Sequence, residues 1–218
     1  MKRKLRVTIV LALLVVMLVV ATRQDWISRQ KIVYAESLDE VALTVDGVDL
    51  TLRDIAIYIA YQEATVQKDA VIYDYENPRK YWNTYTNQYF VRSLAKKAVK
   101  NMVIHDEIFY RMALAEGLEL DQREEDYLAN EMQDFFMDLS EEQRNRLGVQ
   151  REELETALRK IALANKCQSI LAQAEGMYYE DYDYTGVLYE KVIEGHEITI
   201  NEALWDRISI GSITVNYK

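Results

Sequence analysis

Proline occurs once and glycine seven times in these 218 residues, and that scarcity constrains the fold more than any other feature. Both residues interrupt helices. Proline lacks the N–H that the helical ladder needs, and glycine loses the most backbone freedom on becoming ordered. A chain with so few breakers favours long helices over a multi-turn β fold. Hydrophobic residues make up 50% and charged residues 28%, so apolar material for a core is present. The length suits one medium domain with appendages, or two small domains.

The positions of turn and capping residues divide the chain. Val41, Leu43 and Val45 alternate with Ala42 and Thr44, and Asp46-Gly47 supplies a tight primed turn into a short return strand over 48–50. Thr51 with Asp54 three residues on opens a helix over 52–68. Asn77-Pro78 predicts a helical start near 78, in a stretch that holds Tyr81, Trp82, Tyr85, Tyr89 and Phe90. A longer helix follows through Leu94, Met102 and Met112 to Ala115, with Gly117 as its terminator. Asp121 caps the next helix, which ends at Leu139. Ser140 and Gln143 open a short helix closed by Gly148. Leu154, Leu158, Ile161, Ala164 and Leu171 recur at helical spacing over 150–174.

The tail, 176–218, is a tyrosine-rich extension that begins acidic. It predicts a helix over 185–194, a turn over 204–208 capped by Asn201, and a final strand over 212–216. A lone strand leaves its backbone groups unpaired. The 41–50 hairpin is its clear candidate partner. The expected fold class is therefore mostly α, with a small β-sheet formed by the N-terminal hairpin and a C-terminal strand.

The first 21 residues carry Lys2, Arg3, Lys4 and Arg6 and no acid, and Val7 to Ala21 are uncharged. A basic flank before an apolar run is the form of a secretory signal. The sixteen uncharged residues from Val7 to Thr22 make a helix of roughly 24 Å, short of a ~30 Å hydrocarbon core. Flanking cations can snorkel, so a retained anchor stays open beside a signal cleaved after Ala21. No cysteine follows the run, which excludes a lipoprotein anchor. The expected organisation is signal or anchor over 1–21, a polar tether over 22–39, and a body over 40–218. That body is placed outside the cytoplasm, held at the membrane through residues 5–21 if these are uncleaved.

Net charge is −10, and without the four N-terminal cations the rest carries 22 basic against 36 acidic residues, net −14. Such a body repels phosphate backbones and argues against nucleic acid as a partner. It argues equally against lying flat on anionic lipid, while attracting basic polypeptides weakly. The single cysteine, Cys167, forms no intramolecular disulfide and reads as a small buried hydrophobe.

No catalytic constellation stands out, and no cofactor or metal is implied. His105 precedes Asp106 and Glu107, but adjacent helical residues point apart, so a surface or half-buried histidine near Phe109 is expected. His196 beside Glu197 is read in the same way. Glu180, Asp181 and Asp183 lack the spacing of a calcium loop and read as a solvated cluster. Sixteen tyrosines remain to be placed. Helical spacing of aromatics usually means packing, so most are expected in the core and a minority along a groove. Tyr81, Trp82, Tyr85 and Tyr89 are the leading groove candidates, because they span more than one helix stripe. Tyr58, Tyr61, Met132, Phe135 and Phe136 complete the candidate peptide-binding set.

The order hairpin, capped helix, long helix ending in an Ala-x-x-x-Gly step, capped acidic helix and Glu-Glu-Leu helix resembles a known module. It is similar to the N-terminal chaperone domain of the SurA/PrsA-type extracytoplasmic folding factors, and more distantly to the substrate-holding part of trigger factor. The matching pieces are residues 41–59, 106–128 and 147–171, including Ala113 to Asp121, Ala-Leu-Ala-Glu-Gly-Leu-Glu-Leu-Asp. Complete members carry a parvulin-type prolyl isomerase domain after this module. Only 43 residues follow Glu175, too few for a domain of roughly a hundred. The resemblance therefore implies ATP-independent holding of unfolded or exported polypeptides, without isomerase or other enzyme activity. The rival reading is a membrane-anchored surface or assembly protein that binds one dedicated partner.

Overall fold

The computed structural model describes residues 30–215. The expected signal or anchor over 1–21 and the start of the tether lie outside the described residues. The chain is mostly helical, with a three-stranded sheet and a two-stranded hairpin. Its elements are β1 (Val41–Val45), β2 (Val48–Thr51), α1 (Leu52–Tyr73), α2 (Arg79–Trp82), β3 (Tyr85–Thr86), β4 (Tyr89–Phe90), α3 (Val91–Ala115) and α4 (Gln122–Asp138). They continue with α5 (Glu141–Leu147), α6 (Arg151–Glu175), α7 (Tyr189–Ile193), β5 (Ile198–Ile200) and α8 (Glu202–Arg207). Among the described residues no helix is long and apolar enough to cross a membrane.

Strand β1 lies between β2 and β5, antiparallel to both, with Leu43 opposite Leu50 on one side and Ile200 on the other. The two ends of the body thus meet in one sheet. The C-terminal strand is 198–200, however, and the described part of the segment expected as a strand, 212–215, is not one. Its amides at 212–214, with that of Gly211, are taken by the carboxylate of Glu63 and are not free for a ladder.

The capping residues act as their chemistry requires. The Asp121 carboxylate accepts from Glu124 N–H at 2.9 Å, the Ser140 hydroxyl from Gln143 N–H at 3.3 Å, and Asn201 Oδ1 from Leu204 N–H at 3.1 Å. Helix α1 runs to Tyr73, five residues beyond the expected Lys68. Its first half is buried on nearly all sides, from Leu52 through Ala60, because α3, α6, α2 and β2 all pack on it. Each fully interred Ile or Leu there contributes roughly 1.5–3 kcal/mol. Helix α3 packs most extensively on α6.

Two expected segments differ in the structure. The helical stretch near Pro78 stops at Trp82, and Tyr85, Tyr89 and Phe90 form the β3–β4 hairpin. Asn87 and Gln88 at its tip have φ of +48° and +69°, the left-handed pair that a primed two-residue turn needs. Tyr, Thr and Phe suit a pleated ribbon better than a helix interior, and this local preference prevails. Part of the segment expected as a tether packs on the body. Residues 30–39 lie on the body, with Tyr34 and Leu38 buried and Ile32 N–H donating to Arg207 O at 3.2 Å.

Candidate functional site

Helices α1, α4 and α6 diverge enough to leave a cleft of about 890 Å3. That volume falls in the upper part of the range of ordinary ligand pockets. Ile57, Tyr58, Met102, Phe135, Leu158 and Ile161 supply its apolar surface. Tyr61 on α1 and Tyr127 on α4 also line it and are 61% and 65% exposed. Acidic groups from α4, Glu131, Asp134 and Asp138, border it, with Lys68 as a basic neighbour. The C-terminal segment reaches the same cleft through Thr214 and Val215.

Of the expected peptide-binding residues, Tyr58, Tyr61 and Phe135 meet at this cleft. Trp82 does not. It is fully buried, its Nε1–H donates to Gln67 Oε1 at 3.0 Å, and its ring lies directly under Gly211. Tyr81 is half-buried, with its ring 5.3 Å from that of Tyr73. Tyr85 and Tyr89 are exposed on the hairpin. Met132 and Phe136 are half-buried on α4, and Phe136 takes the guanidinium groups of Arg144 and Arg151 at 5.3 Å each from its ring. Sequence reasoning missed Tyr127, Met102, Leu158 and Ile161 as cleft residues. Their helical spacing was visible, but which face of each helix meets a gap depends on how the helices splay.

Buried charges surround the cleft. Glu63 is fully buried on α1, and its Oε1 accepts N–H groups from Gly211, Ser212 and Ile213 at 2.6, 3.0 and 3.1 Å. Its Oε2 accepts from the Thr214 backbone N–H, and from the Thr214 hydroxyl at 2.6 Å. From α5, Gln143 donates to Thr214 O and Arg146 to Val215 O. The C-terminal strap is therefore gripped on both its donors and its acceptors.

A second polar group borders the cleft through Tyr58 and Asp106. His105 is buried rather than surface-lying, and adjacency does not separate it from Asp106: His105 Nδ1 lies 2.7 Å from Asp106 Oδ1. His105 Nε2 lies 3.0 Å from Tyr182 O, and the ring packs 4.7 Å from that of Phe109. Both nitrogens thus have structural partners. Tyr58 also hydrogen-bonds Asp106, and burial first, then that carboxylate, pushes its phenol well above the ordinary value. Glu107, also buried, is met by Lys160 and by Arg111 Nε at 3.3 Å. Cys167 is buried, and burial raises its thiol. Among the described residues no cluster of three or more His, Cys, Asp or Glu side chains is placed to hold a metal ion.

Comparison with protein-family models, with curated proteins and with solved structures finds no match to this chain.

Proposed function

We propose that the chain is an extracytoplasmic, ATP-independent holder of unfolded or extended polypeptides, and that the α1/α4/α6 cleft is where it holds them. One observation carries the reading: two exposed tyrosines, Tyr61 and Tyr127, stand on different helices of one apolar cleft. Solvated aromatic area beside an apolar floor is surface that a client side chain can cover. The resemblance of residues 41–59, 106–128 and 147–171 to the SurA/PrsA-type module points the same way.

The dimensions define the mode of holding. About 890 Å3 admits a short extended stretch and not a folded domain. Each apolar client side chain that is buried contributes roughly 1.5–3 kcal/mol, against several kcal/mol for immobilising the segment. A few anchors then give weak, reversible binding, which suits transient holding. Glu131, Asp134 and Asp138 favour stretches whose apolar residues are flanked by lysine or arginine.

The test is light scattering with several unrelated denatured proteins. The chain is expected to slow their aggregation without nucleotide. Tyr61→Ser combined with Tyr127→Ser is expected to remove most of that effect while leaving thermal unfolding nearly unchanged, since both rings are exposed. A chain that fails to slow any client, yet retains one protein in pull-down, is a dedicated partner-binder instead.

A further inference from the structure

The body carries a large acidic excess, but its cations are not evenly spread. Lys31, Arg92, Lys96, Lys100 and Arg207 converge where the N-terminal segment meets α3 and α8. Lys31 Nζ donates to Asp206 O at 2.5 Å, Lys96 Nζ to Trp205 O, and Arg207 Nε to Gln30 O at 3.2 Å. Lys100 pairs with Glu202 at 3.0 Å and lies 5.8 Å from the Trp205 ring centre. The nearby acids are Asp206, Glu202 and Glu40, the last 3.9 Å from Arg207. Among the described residues, these three carboxylates stand against five cations.

Capping explains part of this cluster. Lys31 and Lys96 satisfy carbonyls at the C-terminal end of α8, as cations commonly do. A helix end carries only about half a negative charge, so most of the excess stays uncompensated. Burial first, and then the charges of Lys31, Lys100 and Arg92 against that of Asp206, pull the Lys96 amine down to about 8. Arg92 also leaves its buried Nε without a hydrogen-bond partner.

The same end of α3 carries the β3–β4 hairpin. Phe90 immediately precedes the helix and Arg92 is its second residue. Tyr85, Tyr89 and Phe90 are 63%, 57% and 52% exposed, and Tyr85 meets Phe90 edge-on at 5.2 Å. Solvated aromatics beside cations are what a headgroup layer accommodates: rings at the interface, cations on phosphates. The uncharged run in the sequence ends at Thr22, and the eight residues from there to Gln30 span at most about 27 Å. The overall acidic charge does not veto such contact. Screening confines each charge to within about 8 Å at physiological salt, so a membrane meets the face that approaches it and not the sum.

We propose that the face formed by Lys31, Arg92, Lys96, Lys100 and Arg207, with the hairpin rings, docks on the anionic phospholipid surface of the membrane that holds the N-terminal apolar run. The inference rests on reading that run as a membrane segment and is independent of what the cleft binds.

The experiment uses the full chain in bilayer discs of phosphatidylcholine, with or without phosphatidylglycerol. Amine labelling at each lysine is followed by peptide mass spectrometry. Lys31, Lys96 and Lys100 are expected to label on the order of threefold more slowly in the anionic discs, and to recover at high salt. Lys68, on the cleft, is expected to label equally in both. Arg92→Glu, checked for fold by circular dichroism, and the exposed Tyr85→Ser are each expected to weaken the protection. Equal labelling of the three lysines in both discs overturns the proposal. So does protection by soluble heparin with none from anionic discs, which assigns the face to a polyanionic macromolecule.

Discussion

Replacing Glu63 with glutamine exchanges one acceptor for a donor inside a fully buried polar contact. The carboxylate accepts four consecutive backbone N–H groups, from Gly211 to Thr214, and the Thr214 hydroxyl. Glutamine keeps one oxygen. If that oxygen faces Gly211, Ser212 and Ile213, three bonds lose their charge assistance, roughly half their strength, or about 1 kcal/mol each. The new NH2 group then faces the Thr214 N–H, which is left without an acceptor at a cost of about 1–3 kcal/mol. Burying a neutral amide in place of a carboxylate returns part of this. The net loss is about 3 kcal/mol, a large fraction of the ~5–15 kcal/mol that stabilises a typical domain. At about 2–4 °C per kcal/mol for a body of this size, the melting temperature should fall by about 6–12 °C. Hydrogen exchange reads the loss at its source: the amides of 211–214 should exchange about a hundredfold faster. A variant that melts within about 3 °C of the parent, with 211–214 equally protected, would refute the view that Glu63 holds the strap.

Gly211→Ala tests the other side of the same contact. The added Cβ would lie 2.5 Å from the Trp82 ring at a φ of +90°, so overpacking adds to backbone strain and about 2–5 kcal/mol is lost. Gly176→Ala, at φ +68° with open space around it, should cost only about 1–2 kcal/mol. Equal melting temperatures for the two variants would contradict the packing. Alkaline pH should unfold the chain through its buried phenols. Burial raises Tyr34 and Tyr58 well above 10 and Tyr189 to about 12. Their folded values exceed the unfolded one, so their contribution is complete below pH 10 and is lost as pH climbs above it, for Tyr189 from about 10 through 12. Denaturant midpoints should fall over that window, with the late tyrosinate absorbance appearing together with unfolding. A single ionisation step near pH 10 with the fold intact would count against it.

The buried charges define how this body is assembled. Glu63 gathers the end of the chain onto α1, and Asp106 links His105 to Tyr58 at the edge of the cleft. A strap held by a buried carboxylate lies along one end of the proposed peptide-binding cleft, at Thr214 and Val215. The fold thus already meets the backbone N–H groups of one bent segment, its own.

What the amino-acid order determined alone was local. Breakers and caps at Thr51, Asp121, Ser140, Gly148 and Asn201 set helix boundaries, because capping is satisfied within a few residues of the chain. Alternation over 41–45 and Asp46-Gly47 set the hairpin for the same reason. What only the tertiary structure decided was partnership across long separations. Ile198 to Ile200 pair with β1 because the amides of 211–214 belong to Glu63, about 150 residues earlier in the chain. Trp82 is interred because Gly211 leaves room for its ring, while Tyr85 and Tyr89 stay exposed because Asn87 and Gln88 turn their segment into a hairpin. Spacing along a helix tells which residues share a face. Whether that face meets a neighbour, a cleft or water depends on packing between elements that no local pattern encodes.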